Sequence, residues 1–152
     1  MLHGSINHVS ISVSDLESAM RFFSPLLAFL GFSPGEIRLY APAGTRLTVN
    51  LNEANGVAFN VWEAKPGLRG RPHRLYEPGF HHVAFNAARH AQVDEVAELV
   101  PRIGGRLLEG PGEYPFGLGG YYAVYFTGPD GLKFEVVHMP AAEARARQLG
   151  HL

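Results

Sequence analysis

The chain repeats itself, and that repeat constrains the fold more than any other feature. Residues 6–13 alternate apolar and polar side chains in the rhythm of a half-buried strand. Residues 80–87 keep the same rhythm, with His82 falling where His8 falls. His82 follows His8 by 74 residues and Glu135 follows Asn60 by 75, so the offset holds along almost the whole chain. A helical pattern succeeds each strand. Ser14-Asp15-Leu16-Glu17 reads as a capping box with Ser14 at the N-cap. The run it opens puts Leu16, Ala19, Phe23, Leu26, Leu27 and Leu30 on one face until Gly31 stops it, and Pro25 predicts a kink or an early end. From about Arg89 a second run aligns Val93, Val96, Ala97, Val100 and Ile103, and Gly104-Gly105 ends it, with Pro101 predicting irregularity near its end.

Three strand-like stretches follow each helix, at about 36–41, 45–52 and 56–63 in the first half and 106–109, 121–127 and 131–138 in the second. The last of each set match closely: Gly56-Val57-Ala58-Phe59-Asn60 against Gly131-Leu132-Lys133-Phe134-Glu135. The fold class is therefore α+β, with two tandem βαβββ modules forming a cupped mixed sheet and the helices outside. The predicted boundaries are a first module over 1–63, a Pro-, Gly- and Arg-rich linker over 64–79, a second module over 80–140 and a tail over 141–152 carrying a short surface helix. One such unit leaves a sheet face bare unless another covers it, and the resulting concavity is a natural place for a site.

Composition narrows the function classes. Hydrophobic residues make up 46% of the chain and charged ones 18%, enough apolar material for a packed interior. A formal charge of −1 without like-charge blocks gives no electrostatic case for nucleic acid. No apolar run approaches the roughly 20 residues that span a bilayer, and the N-terminal stretch lacks the basic and apolar regions of a signal peptide. With no cysteine, disulfides, thiolate metal sites and thiol nucleophiles are excluded together. A cytoplasmic protein is the expectation.

In a strand, alternate residues share a face. The row containing His8 includes Ser10 and Ser12, and the row containing His82 includes Ala84 and Asn86. Glu135 brings Lys133 and Val137, Asn60 brings Trp62, and Tyr121, Ala123 and Tyr125 form a further row. Two imidazoles and a carboxylate at repeat-related positions suit Zn, Ni, Mn or Fe as divalent ions with open coordination positions. A lone strand histidine is more commonly a hydrogen-bonded structural residue, and the pattern by itself leaves both readings open.

The motifs that carry a family resemblance are Asn7-His8-Val9-Ser10-Ile11-Ser12-Val13-Ser14-Asp15-Leu16 followed by Phe22-Phe23, then His82-Val83-Ala84-Phe85, then Tyr125-Phe126-Thr127-Gly128-Pro129-Asp130-Gly131 leading into Glu135. Together they resemble the vicinal oxygen chelate superfamily, which includes glyoxalase I, extradiol dioxygenases, fosfomycin-resistance thiol transferases and bleomycin-resistance proteins. The resemblance implies metal positions at His8, Asn60, His82 and Glu135. Asn60 departs from the strong ligand that glyoxalase I uses there, which leaves His8, His82 and Glu135 as the implied metal set. Tyr125 matches a tyrosine position shared by the dioxygenases and fosfomycin enzymes. Phe116-Gly117-Leu118 holds no histidine where an extradiol enzyme has its acid–base group, and Gly128 replaces its usual turn residue. A fosfomycin-type reading asks for cations around a phosphonate, from Lys133 or from Arg69, Arg71, His73 and Arg74 of the linker, although those linker residues read more readily as a solvated basic loop.

The resulting expectation is a metal-dependent, glyoxalase-like enzyme (lyase, isomerase, transferase or dioxygenase type) that acts on a small oxygen-chelating substrate and forms a homodimer. Tyr125 is the polar helper in that reading. Glu113, on a glycine-rich segment over 109–120 read as a flap or long hairpin loop, is the candidate base. Asn60, Trp62, Tyr121 and Lys133 would contact substrate. The rival expectation is a metal-free binding protein of the bleomycin-resistance type, with Trp62, Tyr121 and Tyr125 as stacking walls.

Overall fold

A computed structural model of the chain describes residues 5–116 and 119–148. The first apolar stripe becomes α1 (Leu16–Phe29), which buries Leu16, Ala19, Phe23, Leu26 and Leu27, with Met20 and Phe22 beside them. Pro25 lies within this helix and does not end it. The cap differs from expectation. Asp15 is the N-cap and its carboxylate accepts from Ser18 N, because the shorter reach from the residue adjoining the first turn wins over Ser14. Ser14 is used elsewhere: its Oγ accepts from Gly70 N and its own N–H donates to Asp130 Oδ2.

The strands of the first half are β1 (His8–Val13), β2 (Arg38–Tyr40), β3 (Thr45–Asn52) and β4 (Val57–Glu63). They form a four-stranded sheet in the order β1-β4-β3-β2, with β1 parallel to β4 and the remaining pairs antiparallel. The second half repeats this with β5 (Val83–Asn86), β6 (Arg106–Tyr114), β7 (Tyr121–Thr127) and β8 (Lys133–His138), in the order β5-β8-β7-β6. Again the first and last strands are parallel and the others antiparallel. The same order and the same directions in both halves are the βαβββ duplication read from the sequence. Between β5 and β6 lies α2 (His90–Arg102), which buries Val93, Val96, Ala97 and Val100. The tail helix α3 spans Pro140–Gln148, and residues 149–152 of the predicted tail lie outside the described residues.

Two compact units emerge: Met1–His73 with Pro129–Gly131, and Arg74–Gly128 with Leu132–Leu152. The break falls inside the predicted linker. The Pro129–Gly131 turn joins the first unit through hydrogen bonds: Asp130 Oδ2 accepts from Ser14 N, and Asp130 O accepts from His73 N, both at 2.7 Å. Asp130 adopts the left-handed conformation (φ 55) that lets one short side chain serve this turn.

One segment is ordered where a loop was expected. β6 continues through residues 109–114 instead of stopping at Glu109. Register shifts between Leu107, Glu109 and Gly112 absorb the glycines and proline as bulges. Gly110 is required there: at φ 79 it passes so close to β7 that a Cβ would meet Ala123 O at 2.4 Å. Residues 117 and 118 of the expected flap lie outside the described residues. No helix among the described residues is long and apolar enough to cross a membrane.

Candidate functional site

In the first unit, β1 and β4 set His8, Ser10, Asn60 and Trp62 on the sheet face away from α1. Register pairs His8 with Ala58, Ser10 with Asn60 and Ser12 with Trp62, whereas Ile11, Val13, Phe59 and Val61 form the buried core. His8 is exposed and its Nδ1 lies 2.9 Å from Asn7 Oδ1. Asn60 Nδ2 donates to Ser10 Oγ at 3.2 Å, while its Oδ1 is buried without a hydrogen-bond partner among the described residues. Trp62 packs edge-on against Tyr40, with ring centroids 5.4 Å apart.

The second unit gathers a polar cluster around one buried carboxylate. Glu135, on the central strand β8, is only 1% exposed. Its Oε2 lies 3.1 Å from His82 Nε2, and its Oε1 accepts a short hydrogen bond from the Tyr121 hydroxyl. His82 sits immediately before β5, not within it. Its other ring nitrogen, Nδ1, lies 2.6 Å from Nδ1 of His81, whose ring also contacts Tyr76. Tyr125 pairs with Glu135 across β7 and β8, is 7% exposed, and meets the His82 ring edge-on at 6.2 Å. Lys133 Nζ lies over the Tyr125 ring, 4.8 Å from its centroid.

Strand alternation explains which groups meet here. Ala123, Tyr125 and Val137 form an apolar patch with Leu108, Tyr114, Tyr121 and Met139 around it. Tyr122 points the other way, onto α2, where its hydroxyl donates to Asp94 and its ring stacks on His90 at 4.3 Å. Glu113 is the register partner of Tyr122 and so shares that helix-side face, not the face of Glu135. The flap reading places it over the site; the register sets it on the opposite face of the sheet. Arg69 and Arg74 of the linker are tied to Glu63 and Glu77, which accounts for them as loop-ordering ion pairs.

Burial governs the site's tyrosines. It pushes the Tyr125 hydroxyl far above the ordinary phenol range, with Tyr121 and Glu135 adding to the effect. Tyr121 is raised by burial and then by its bond to Glu135, and Tyr114 by burial. All three stay protonated at neutral pH, and Tyr121 donates its hydroxyl hydrogen to Glu135.

The sequence reading missed two participants. Tyr114 stacks on Phe116 and meets Tyr121 and Tyr125 edge-on, and its signal was available once β6 was allowed to continue to the register pair Tyr114–Tyr121. His81 precedes β5, which begins only at Val83, so strand parity does not govern where its ring lies.

The model of the Glyoxalase/Bleomycin resistance protein/Dioxygenase superfamily matches residues 5–136. The chain belongs to that superfamily. It is 31% identical over 133 residues to the uncharacterized protein YqjT of Bacillus subtilis, covering 87% of this chain and 97% of that protein. Among solved structures it is similar to a glyoxalase/bleomycin resistance protein from Albidiferax ferrireducens, at 24% identity and a TM-score of 0.70 over 88% of this chain and 98% of that one. It is also similar to the Listeria monocytogenes fosfomycin resistance protein FosX, at 17% identity and a TM-score of 0.57 over 90% and 93%. That FosX structure, of a mutant protein, contains Mn(II) and a dihydroxypropylphosphonic acid. These likenesses show the shared fold.

Whether a divalent ion suits this superfamily member can be tested on its own atoms. Two donors at about 2.0–2.2 Å from one ion, at near-right angles, stand about 3 Å apart. The 3.1 Å between His82 Nε2 and Glu135 Oε2 matches that edge. The donor set, neutral imidazole plus carboxylate, is that of borderline divalent ions. Among the described residues no group of three or more His, Cys, Asp or Glu side chains is gathered as a metal site: His82 and Glu135 meet within the second unit, and His8 belongs to the first.

Proposed function

We propose that this superfamily member is a divalent-metal-dependent enzyme acting on a small substrate with two neighbouring oxygens, with His8, His82 and Glu135 as metal ligands. The observation that carries this reading is the buried Glu135 carboxylate, held from one side by Tyr121 and facing His82 Nε2 at 3.1 Å. An almost fully buried carboxylate with no Arg or Lys among its hydrogen-bond and ion-pair partners in the described residues is costly as a structural feature, and a cation is the partner that repays it. A bound Zn, Ni, Mn or Fe ion would supply Lewis-acid polarisation of substrate oxygens.

The chain's own residues do the rest. Tyr121 fixes the carboxylate by donating to Oε1, leaving Oε2 turned to His82. Tyr125, kept protonated, donates its hydroxyl hydrogen to negative charge developing on a substrate oxygen. The apolar patch around Ala123 and Val137 keeps water away from that hydroxyl. Lys133, Asn60 and Trp62 remain proposed substrate contacts. The Asn60 Oδ1 atom, buried without a partner among the described residues, is the strongest of these. The reading includes a cytoplasmic homodimer. The exposed Val49 and Leu51, on the β3 face opposite α1, support a subunit interface.

Metal content of protein purified without chelator or affinity tag tests the proposal. Near-stoichiometric metal that His82→Ala and Glu135→Gln each lose is the expected result. Full metal content in His82→Ala would overturn it. Ligand binding by metal-free protein, lost in Tyr125→Ala and indifferent to metal, would favour the binding-protein reading instead.

A further inference from the structure

We propose that Tyr76 is a substrate-contact residue, an aromatic wall at the mouth of the His82–Glu135 site that stacks on a planar part of the substrate. The inference rests on that site as the place where substrate binds, and adds a residue from outside its polar cluster. It begins from a backbone anomaly. Glu77 N donates to Arg74 O at 3.4 Å, which closes residues 74–77 into a β-turn with Tyr76 in the third position. Tyr76 has φ 70 there. A positive φ at that position of a turn is ordinarily met by glycine or asparagine, and for a bulky side chain it is a true outlier. Asp130 is the other non-glycine residue with positive φ among the described residues, and its bonds to Ser14 and His73 account for it. Tyr76 receives no such return from the fold. It is 83% exposed, so its ring buries little apolar surface. Strain of this kind gathers at active sites and ligand clamps.

What the strained turn does achieve is placement. The Tyr76 ring lies against the His81 ring, with centroids 5.2 Å apart, and the His81 ring lies against that of His82 at 4.9 Å. A single ring therefore separates Tyr76 from the imidazole that faces Glu135. Exposure marks out the direction of approach: Glu135 is 1% exposed, the His82 side chain 31% and Tyr76 83%. A molecule held at His82 meets Glu135 on its inner side and extends its body outward, to the rim where Tyr76 stands. The face of an aromatic ring there suits a planar, apolar body, and it adds affinity by stacking without any charge.

Titration calorimetry of the full chain loaded with Zn(II) tests the role with two probes. Tropolone offers two neighbouring oxygens on a planar ring, and oxalate offers them without a ring. Tyr76→Ala is expected to weaken tropolone binding about 3–10-fold, the worth of one aromatic pair, and to leave oxalate unchanged. Tyr76→Phe keeps the ring and should bind both as the parent does. Thermal unfolding supplies a readout that a purely structural role would move the opposite way. Tyr76→Gly and Tyr76→Asn relieve the turn and are expected to raise Tm by about 1–4 °C. A fall in Tm in both, parent-like tropolone affinity in Tyr76→Ala, or an equal loss of both probes would overturn the proposal. If the parent takes up no Zn(II), the metal reading falls, and tropolone titration of the metal-free chains decides for or against Tyr76. Weaker binding in Tyr76→Ala then upholds the wall, and equal or absent binding in both chains overturns it.

Discussion

Replacing Tyr121 by phenylalanine removes one hydroxyl and leaves its ring in the patch with Tyr114 and Phe116. That hydroxyl donates to Oε1 of a carboxylate that is 1% exposed. A hydrogen bond to a charged group contributes about 1.5–3 kcal/mol net, and a buried acceptor left unpaired costs a similar amount. Tyr125 lies against the same carboxylate and can re-aim its own hydroxyl, so the loss is expected in the lower half of that range, about 1.5–2 kcal/mol. For a domain near this size each kcal/mol moves Tm by about 2–4 °C, which puts the expected fall at about 3–8 °C. Urea unfolding of metal-free protein measures it, with an unchanged slope showing that only stability has moved. A cycle with Tyr125→Phe should give a coupling of at least about 0.5 kcal/mol, because the two phenols share one carboxylate. A Tyr121→Phe loss below about 0.5 kcal/mol would refute the claim that this hydroxyl holds the buried acid.

Three further outcomes are expected. At alkaline pH the site works against the fold. Tyr121 and Tyr125 have raised folded-state values, so their contribution is complete below the unfolded phenol value of about 10 and is lost as pH rises through the folded ones; a Tyr121→Phe/Tyr125→Phe variant should lose stability less steeply above that point in pH-dependent denaturation. Acid acts through Glu63, whose carboxyl is held low chiefly by Arg46 and further by Arg69. That stability is present above the ordinary carboxylate value and disappears as pH falls through the depressed one, so Glu63→Gln should flatten the acid limb of the same curve. Gly110→Ala should cost at least about 1–3 kcal/mol in thermal or urea unfolding, since a side chain there meets the Ala123 carbonyl at a positive φ.

Much of the fold was legible because its signals are local. The helical stripes in residues 16–29 and 90–102 and the alternation in the strands depend only on periods of 3.6 and 2, which any reader of the chain can count. The paired offsets at His8 and His82, and at Asn60 and Glu135, located equivalent strands without any knowledge of contacts. Strand parity likewise separated Tyr125 from Phe126 and Tyr121 from Tyr122, as the packing of Tyr122 on α2 bears out. Local rules failed where geometry depends on a distant partner. The glycine-rich stretch after Glu109 looked too weak for a strand, and its pairing with β7 through bulges makes it one. The face on which Glu113 lies was likewise decided by register, which sets it beside Tyr122.

The sequence by itself determined that two βαβββ modules would form and which strands would carry His8 and Glu135, because periodicity and repetition survive without a third dimension. Only the tertiary structure decided that Tyr121 holds Glu135, that His81 stands behind His82, and that the Pro129–Gly131 turn joins the first unit through Ser14 and His73. Tyr121 bonds to a residue on the neighbouring strand. The Ser14–Asp130 bond spans 116 residues of chain, and the His81 contact turns on where a strand begins, none of which a spacing can encode.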